Sequence, residues 1–144
     1  MSSGGENVSE DCLFCKIIAG EIPSYTVFED EFTFAFLDIN PIAAGHTLVL
    51  PKVHVTKLAE LEGDDLAGWT AALQKVAAGV ESALEPEGLN IFINQGEVAG
   101  QVISHLHVHV VPRVSGDGVR FETPAVKLSE AEFKGVSEKI VKAI

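Results

Sequence analysis

The sequence predicts an α+β fold: an antiparallel five-stranded sheet with two main helices. Three observations carry this. Short apolar runs, several of them alternating, recur between residues 25 and 111, with the two-residue period of strands that turn one face inward. Two longer segments repeat apolar residues at steps of three and four, the period of amphipathic helices. The 144 residues contain no internal repeat and no linker long enough to divide two domains, and a chain of this length buries roughly 68–70% of its unfolded surface in one core.

Residues 1–10, with Ser2, Ser3, Gly4 and Gly5, read as a flexible tail, ahead of a single domain over residues 11–144. Cys12-Leu-Phe-Cys15 leads into a short turn of helix through Ile18, before Gly20. Tyr25–Glu29 and Phe32–Asp38 form a hairpin turning at Asp30-Glu31. Asn40-Pro41 breaks the second strand, and His46–Pro51 is a third, stopped by its proline. Asp64 is the expected N-cap of a helix whose apolar face is Leu66, Trp69, Leu73, Val76, Val80 and Leu84. Pro86 and Gly88 end it. Leu89–Asn94 is a fourth strand, and the glycine-bearing loop 95–101 connects it to a fifth that ends near Pro112. Ser129 and Glu132 form a capping box for a last helix with Phe133, Val136, Ile140 and Ile144 on its apolar side.

The formal net charge is -11, from 21 acidic and 10 basic residues. Such a surface repels nucleic-acid polymers and anionic membranes, so neither is an expected partner; a small anion in a local pocket is compatible with it. No apolar run approaches the roughly 20 residues that span a bilayer, and the acidic N-terminus carries no signal peptide. A cytoplasmic protein is the expectation.

The most informative stretch is His105-Leu-His-Val-His-Val-Val111. On a strand its three imidazoles point the same way, successive ones about 6.6–6.8 Å apart at Cα. A zinc ion reaches only about 2.0–2.1 Å to an imidazole nitrogen, so the outer two rings cannot share one ion on a straight strand. The three rings therefore divide their work. Burying three titratable rings side by side has a large desolvation cost, which marks the stretch as a site rather than ordinary core.

Cys12 and Cys15 are the only cysteines. Without an export signal a structural disulfide is the weaker reading. A thioredoxin-like pair would follow a strand inside a βαβ unit, whereas this pair precedes every strand. A metal half-site fits better, with further ligands to come from His46, His54, His105, His107 or His109. Free thiols with no part in the chemistry stay open.

The motif His105-x-His107-x-His109-x-x, followed by Pro112-Arg113, resembles the mark of the histidine triad (HIT) superfamily. Phe14-Cys-Lys-Ile-Ile with Glu21-Ile-Pro resembles the opening of that family. Ala35-Phe-Leu-Asp38-Ile-Asn-Pro41 resembles its nucleoside-pocket segment, and Gly45-His46-Thr-Leu-Val-Leu-Pro-Lys52 its next strand. Asn94-Gln-Gly96 and Ala99-Gly100-Gln101 resemble the loop before its triad. The likeness spans residues 12–113.

The resemblance implies a homodimer with one continuous sheet and a nucleotide hydrolase or transferase acting at the α-phosphorus. The substrates it suggests are nucleoside phosphoramidates or dinucleoside polyphosphates, with a purine nucleotide such as AMP as ligand. Carried over by position, His107 is the nucleophile that forms a nucleotidyl-histidine, a role suited to a neutral imidazole. His109 sits beside the phosphate and stabilises developing charge, with Asn94 and the amides of Gly100, Gln101 and Val102 as further donors, like a small anion nest. His46 supports the catalytic ring, and Asp38 accepts the ribose hydroxyls. Phe14, Ile17, Ile22, Phe36 and Ile39 line the base pocket. Zinc-bearing members imply Cys12, Cys15, His54 and His105 as ligands, which gives the first triad histidine to the metal. That zinc is structural, because four protein ligands leave no open position; no organic cofactor is expected. One departure bears on substrate: the phosphoramidase branch has a serine where Val102 stands.

Two other classes remain beside this enzyme. One is a metalloenzyme with a catalytic zinc on two triad histidines; the other is a purine-nucleotide-binding regulatory module with incidental hydrolysis.

Overall fold

Alternation in two strands builds the middle of the molecule. The computed structural model describes residues 11–144, so the tail expected over 1–10 lies outside the described residues. Strands β2 (Thr33–Leu37) and β3 (Thr47–Pro51) pair antiparallel, with Phe34 opposite Leu50 and Phe36 opposite Leu48. Because side chains alternate across a sheet, Phe34, Phe36, Leu48 and Leu50 share one face and Ala35 and Val49 the other. The two sets enter different core clusters. Both faces are thus covered.

One face carries the short helix α1 (Leu13–Ile18), whose Phe14, Cys15 and Ile17 pack on the Phe34–Leu50 set. The other carries the long helix α2 (Gly63–Leu84), whose Trp69, Val76 and Val80 pack with Ala35, Val49, Leu106, Val108 and Val110. The indole N–H of Trp69 donates to the Val49 carbonyl at 3.3 Å, satisfying the polar atom of a fully buried ring. β1 (Thr26–Glu29), β4 (Gly88–Phe92) and β5 (Val108–Arg113) complete a sheet of order β1-β2-β3-β5-β4, with every pairing antiparallel. Helix α3 (Glu130–Ala143) follows. The five strands, their order in the chain and the two main helices are as the sequence predicts.

Three expectations are corrected. Helix α2 begins at Gly63, with Glu62 in the N-cap position and no side-chain cap, so Asp64 is not the cap. Asp64 and Asp65 lie in the first turn, where their charges favour the helix dipole. β5 ends at Arg113, one residue past Pro112, as expected. The β3–β5 ladder stops at Thr47↔Val110, so Pro112 pairs only with Leu89 of β4 and its missing N–H leaves no gap.

The histidine run is not one straight strand. Opposite it, β3 pairs only from Thr47 to Val49 and β4 only as far as Phe92, so residues before Val108 have no ladder partner. The Leu106 N–H donates instead to the Val55 carbonyl at 2.7 Å. Helix α3 has the capping box expected of Ser129 and Glu132. Its apolar side does not reach the core, however: Phe133 is 60% exposed, and Val136, Ile140 and Ile144 are also open. Among the described residues no helix is long and apolar enough to cross a membrane.

Candidate active site and metal centre

The irregular backbone at residues 103–107 gives the three histidines different neighbours. His105, wholly buried, turns its ring toward the N-terminus of α1. Its Nε2 lies 2.8 Å from the Pro51 carbonyl. A carbonyl only accepts, so Nε2 carries the proton and Nδ1 presents a bare lone pair. That lone pair lies 3.5 Å from Cys12 Sγ, 3.6 Å from Cys15 Sγ and 3.2 Å from His54 Nδ1. Cys15 Sγ is 3.3 Å from His54 Nδ1. The four side chains form one cluster, with every ligand atom within 4.8 Å of the others.

A tetrahedral zinc, at about 2.3 Å from sulfur and about 2.0–2.1 Å from nitrogen, holds its ligands roughly 3.3–3.8 Å apart. The spacings of 3.2, 3.3, 3.5 and 3.6 Å lie close to this range. Cys12 caps α1, accepting the Cys15 N–H on sulfur at 3.3 Å, which sets the two thiols two residues apart on one side. The spacing C-x-x-C is therefore realised as a helix N-cap, and both cysteines are buried and unbridged.

His107 is oriented the opposite way. Its Nδ1 donates to the His105 carbonyl at 2.6 Å, so Nε2 is the unprotonated nitrogen. Phe14 stands edge-on to this ring, with centroids 5.0 Å apart. Burial is the main influence holding the His107 pKa below the ordinary 6.5, opposed by the bond to the His105 carbonyl and by the Asp38 charge.

His109 completes a second chain of bonds. The Ile42 N–H donates to His46 Nδ1 at 3.0 Å, so in the neutral His46 ring Nε2 bears the proton. That nitrogen lies 3.0 Å from His109 Nδ1, which must accept. The remaining His109 proton then sits on Nε2. Burial lowers the pKa of His46, and burial with the neighbouring His107 and His46 brings that of His109 to about 4, so both rings are neutral near pH 7.

Asp38, His46 and His109 also lie close enough to suggest a metal site. The Nε2 of His46 is 3.7 Å from Asp38 Oδ2, but the Ile42 bond keeps a proton on that nitrogen. This cluster is a hydrogen-bond relay, unlike the Cys12–His54 cluster. Among the described residues no group of metal-ligating side chains includes His107.

His107 and His109 open onto a pocket of about 380 Å³, with Phe14, Ile17, Ile22, Phe36, Asp38, Ile39, Gly100 and Val102 in its wall. Leu13, Ser24, Asn40, Leu48 and Ile103 also line it and were not expected. Phe14 and Phe36 are buried and meet edge to face at 5.6 Å, while Ile39 and Val102 are exposed. Among the described residues, Asp38 is the only acidic or basic side chain in the wall besides the histidines; its Oδ1 accepts the Asn40 N–H at 2.9 Å.

Asn94 and Gln101 do not line this pocket. Gln101 braces the loop, accepting the Gly96 N–H on Oε1 and donating from Nε2 to the Thr56 carbonyl. Asn94 lies against Gly100, where a Cβ would come 3.2 Å from its Nδ2. The expected amide nest is smaller than the sequence suggests. A 3₁₀ turn over Glu97–Ala99 takes the Gly100 N–H to Glu97 O and the Gln101 N–H to Gly96 O, whereas the Val102 N–H is not used in that turn.

This geometry has relatives. Residues 19–116 match the HIT domain. The chain belongs to the HIT family. It is 40% identical to a HIT protein of Bacillus subtilis, over 94% of this chain and 96% of the relative. It is 36% identical to an adenosine 5'-monophosphoramidase of Schizosaccharomyces pombe, over 90% and 95%. An adenylylsulfatase of Arabidopsis thaliana is 36% identical over 76% of this chain and 56% of its own length. Among solved structures, a HIT-family protein of B. subtilis superposes with a TM-score of 0.84 at 42% identity, over 94% and 98% of the two chains. A zinc-bound histidine triad protein of Mycobacterium smegmatis gives 0.70 at 36% identity, over 93% and 98%. The HIT fold is that of the sheet and helices described above.

Proposed function

We propose that the protein is a nucleotide hydrolase or transferase that attacks the α-phosphorus of a nucleoside phosphoramidate or dinucleoside polyphosphate through His107. The observation that carries this reading is the opposite tautomers of adjacent rings: His107 offers a bare Nε2, whereas His109 offers an Nε2–H.

His107 Nε2 bonds to phosphorus as the bond to the leaving group breaks, and His109 Nε2–H supplies the leaving group's proton. Water then attacks the nucleotidyl-histidine and gives its proton back to His109 Nε2, the N–P bond breaks, and a nucleoside monophosphate departs. Asp38 Oδ2, 3.7 Å from His46 Nε2, would accept ribose hydroxyls, and the apolar walls formed by Phe14, Ile17, Ile22, Phe36 and Ile39 suit a purine such as that of AMP. Val102 N–H and Asn94 are the supporting donors to phosphate. The relatives named for phosphoramidate and adenylylsulfate chemistry support an adenylyl group with a variable leaving group.

Cys12, Cys15, His54 and His105 would hold a structural zinc, closing α1 onto the end of β3 and the start of the triad; the zinc-bound relative supports this. The metal would supply cohesion, and His107 stays outside it. A homodimer fits the open edge at β4, where Ile91 is 48% exposed, and the bare apolar side of α3. The sedimentation mass of the intact chain tests this directly.

The deciding experiment mixes the protein with adenosine 5'-phosphoramidate and, separately, diadenosine polyphosphate, and follows intact mass after rapid acid-free quenching. An adenylylated protein that is lost in His107→Ala, with release of AMP in the wild type, is expected. Tight AMP binding with no adduct and no turnover on either substrate would favour the regulatory module instead.

A further inference from the structure

Phe92 belongs to neither core cluster. It sits on β4 directly opposite His109 of β5, and direct cross-strand partners share a face. Its ring lies nearly parallel to the imidazole, 9° between planes and 4.6 Å between centroids. Phe121, from the segment after β5, meets Phe92 edge-on at 5.3 Å. The Arg113 guanidinium lies 5.6 Å from the Phe121 centroid. Arg113 is itself held by Asp117 at 2.7 and 3.0 Å, by Asn90 at 2.8 Å and by the Val119 carbonyl at 3.0 Å. A continuous stack therefore runs from a multiply bonded arginine to one triad ring.

We infer that Phe92, backed by Phe121, is a positioning residue that fixes the plane of His109, an inference that rests on His109 acting as the proton donor proposed above. One hydrogen bond from His46 locates His109 Nδ1 but does not hold the ring plane, and a ring that swings far enough loses that bond and with it the single tautomer. A flat aromatic face against the imidazole removes this freedom. With both constraints the Nε2–H keeps one direction, toward the pocket that His109 lines. Phe92 does not line that pocket, so it acts on proton delivery and not on nucleoside binding. Leucine in its place keeps much of the apolar bulk and loses the flat face.

The test compares the wild type with Phe92→Leu, Phe92→Tyr and Phe121→Leu. Steady-state rates are measured on adenosine 5'-phosphoramidate, and histidine ¹⁵N NMR on the ligand-free chain. Phe92→Leu is expected to lower kcat about tenfold, as small misalignments of a catalytic group do, with KM within about twofold. His109 should change from a single Nε2–H tautomer to an exchanging mixture. Phe92→Tyr should restore both readings, and Phe121→Leu should shift both in the same direction by less. An unchanged His109 tautomer in Phe92→Leu, a KM that rises in step with the loss of kcat, or no rescue by tyrosine would overturn the inference. If Phe92→Leu does not fold, an unchanged tautomer in Phe121→Leu overturns it equally. A wild type without turnover would defeat the proposed reaction alone, because the tautomer reading needs no substrate.

Discussion

The backbone carbonyl of His105 accepts the Nδ1 proton of His107 at 2.6 Å. The residue whose side chain joins the Cys12–Cys15–His54 cluster thus sets, through its backbone, the tautomer of the ring proposed to attack. The proposed metal centre and the proposed nucleophile are two residues apart and mechanically joined.

Zinc removal should therefore affect both stability and rate without ending catalysis. We expect about one zinc per chain by elemental analysis, and nearly none in Cys15→Ser. Chelation should lower Tm clearly, because metal binding of this kind contributes directly to folding. It should lower kcat several-fold at a temperature where the chain stays folded. Complete loss of activity on chelation, restored by zinc with no adduct ever formed, would instead indicate a catalytic metal.

The His46–His109 contact predicts a second kinetic signature. His46→Ala removes the donor to His109 Nδ1, so the proton on His109 is no longer confined to Nε2. General acid catalysis contributes typically about 10²–10⁴-fold, and loss of its orientation should lower kcat by roughly 10–100-fold. KM should change little, because His46 does not line the proposed nucleoside pocket. Steady-state kinetics on a poor leaving group and a good one should show the larger loss on the poor one, which most needs the proton.

Much of this was legible in the sequence, for reasons that differ by residue. Phe34, Ala35 and Phe36, and Leu48, Val49 and Leu50, follow a two-residue period that burial on both faces enforces. Cys12, Cys15, His54 and His105 converge as the resemblance implies, but the histidine run divides its work by bending, not by strand spacing alone. That bend depends on where β3 and β4 stop pairing, a long-range register that no local pattern encodes. The same holds for Phe92, whose importance lies in the partner opposite it. Gly100 and Gln101 carried no mark that their amides are consumed within a 3₁₀ turn. In α3 the period of Phe133, Val136 and Ile140 is real, yet periodicity does not say what covers the face.

The pH dependence follows from neutral, buried imidazoles. Burial lowers the folded-state pKa of His105 and His109 to about 4, from an ordinary value of 6.5. Between these values the unfolded chain binds more protons than the folded one, so stability rises with pH across the window and is lost as pH falls from 6.5 toward 4. At about 1.4 kcal/mol per pKa unit, wholly buried His105 accounts for on the order of 3 kcal/mol in the metal-free chain. Urea midpoints measured from pH 7.5 to 4 should be flat above about 7 and fall below 6.5. The zinc-loaded protein should begin its fall at lower pH. The acid limb of kcat/KM should likewise lie below 6.5, since His107 must be neutral to attack and its pKa is also lowered.

Gly100 offers the last test, at the rim of the pocket. Its φ of +102° lies where side chains other than glycine are strained, and an added Cβ would come 3.2 Å from Asn94 Nδ2. Gly100→Ala is expected to cost about 1–3 kcal/mol of stability from the backbone alone. The alanine methyl also presses on Asn94, one of the proposed phosphate donors, while Gly100 itself lines the proposed nucleoside pocket with Val102. KM for the phosphoramidate should therefore rise several-fold, with the zinc content unchanged because the Cys12–His54 cluster does not touch this turn. Gly96→Ala provides the control: it has the same sign of φ, at +91°, but open space around its Cβ. It should lose stability with a much smaller change in KM, which separates backbone strain from displacement of Asn94.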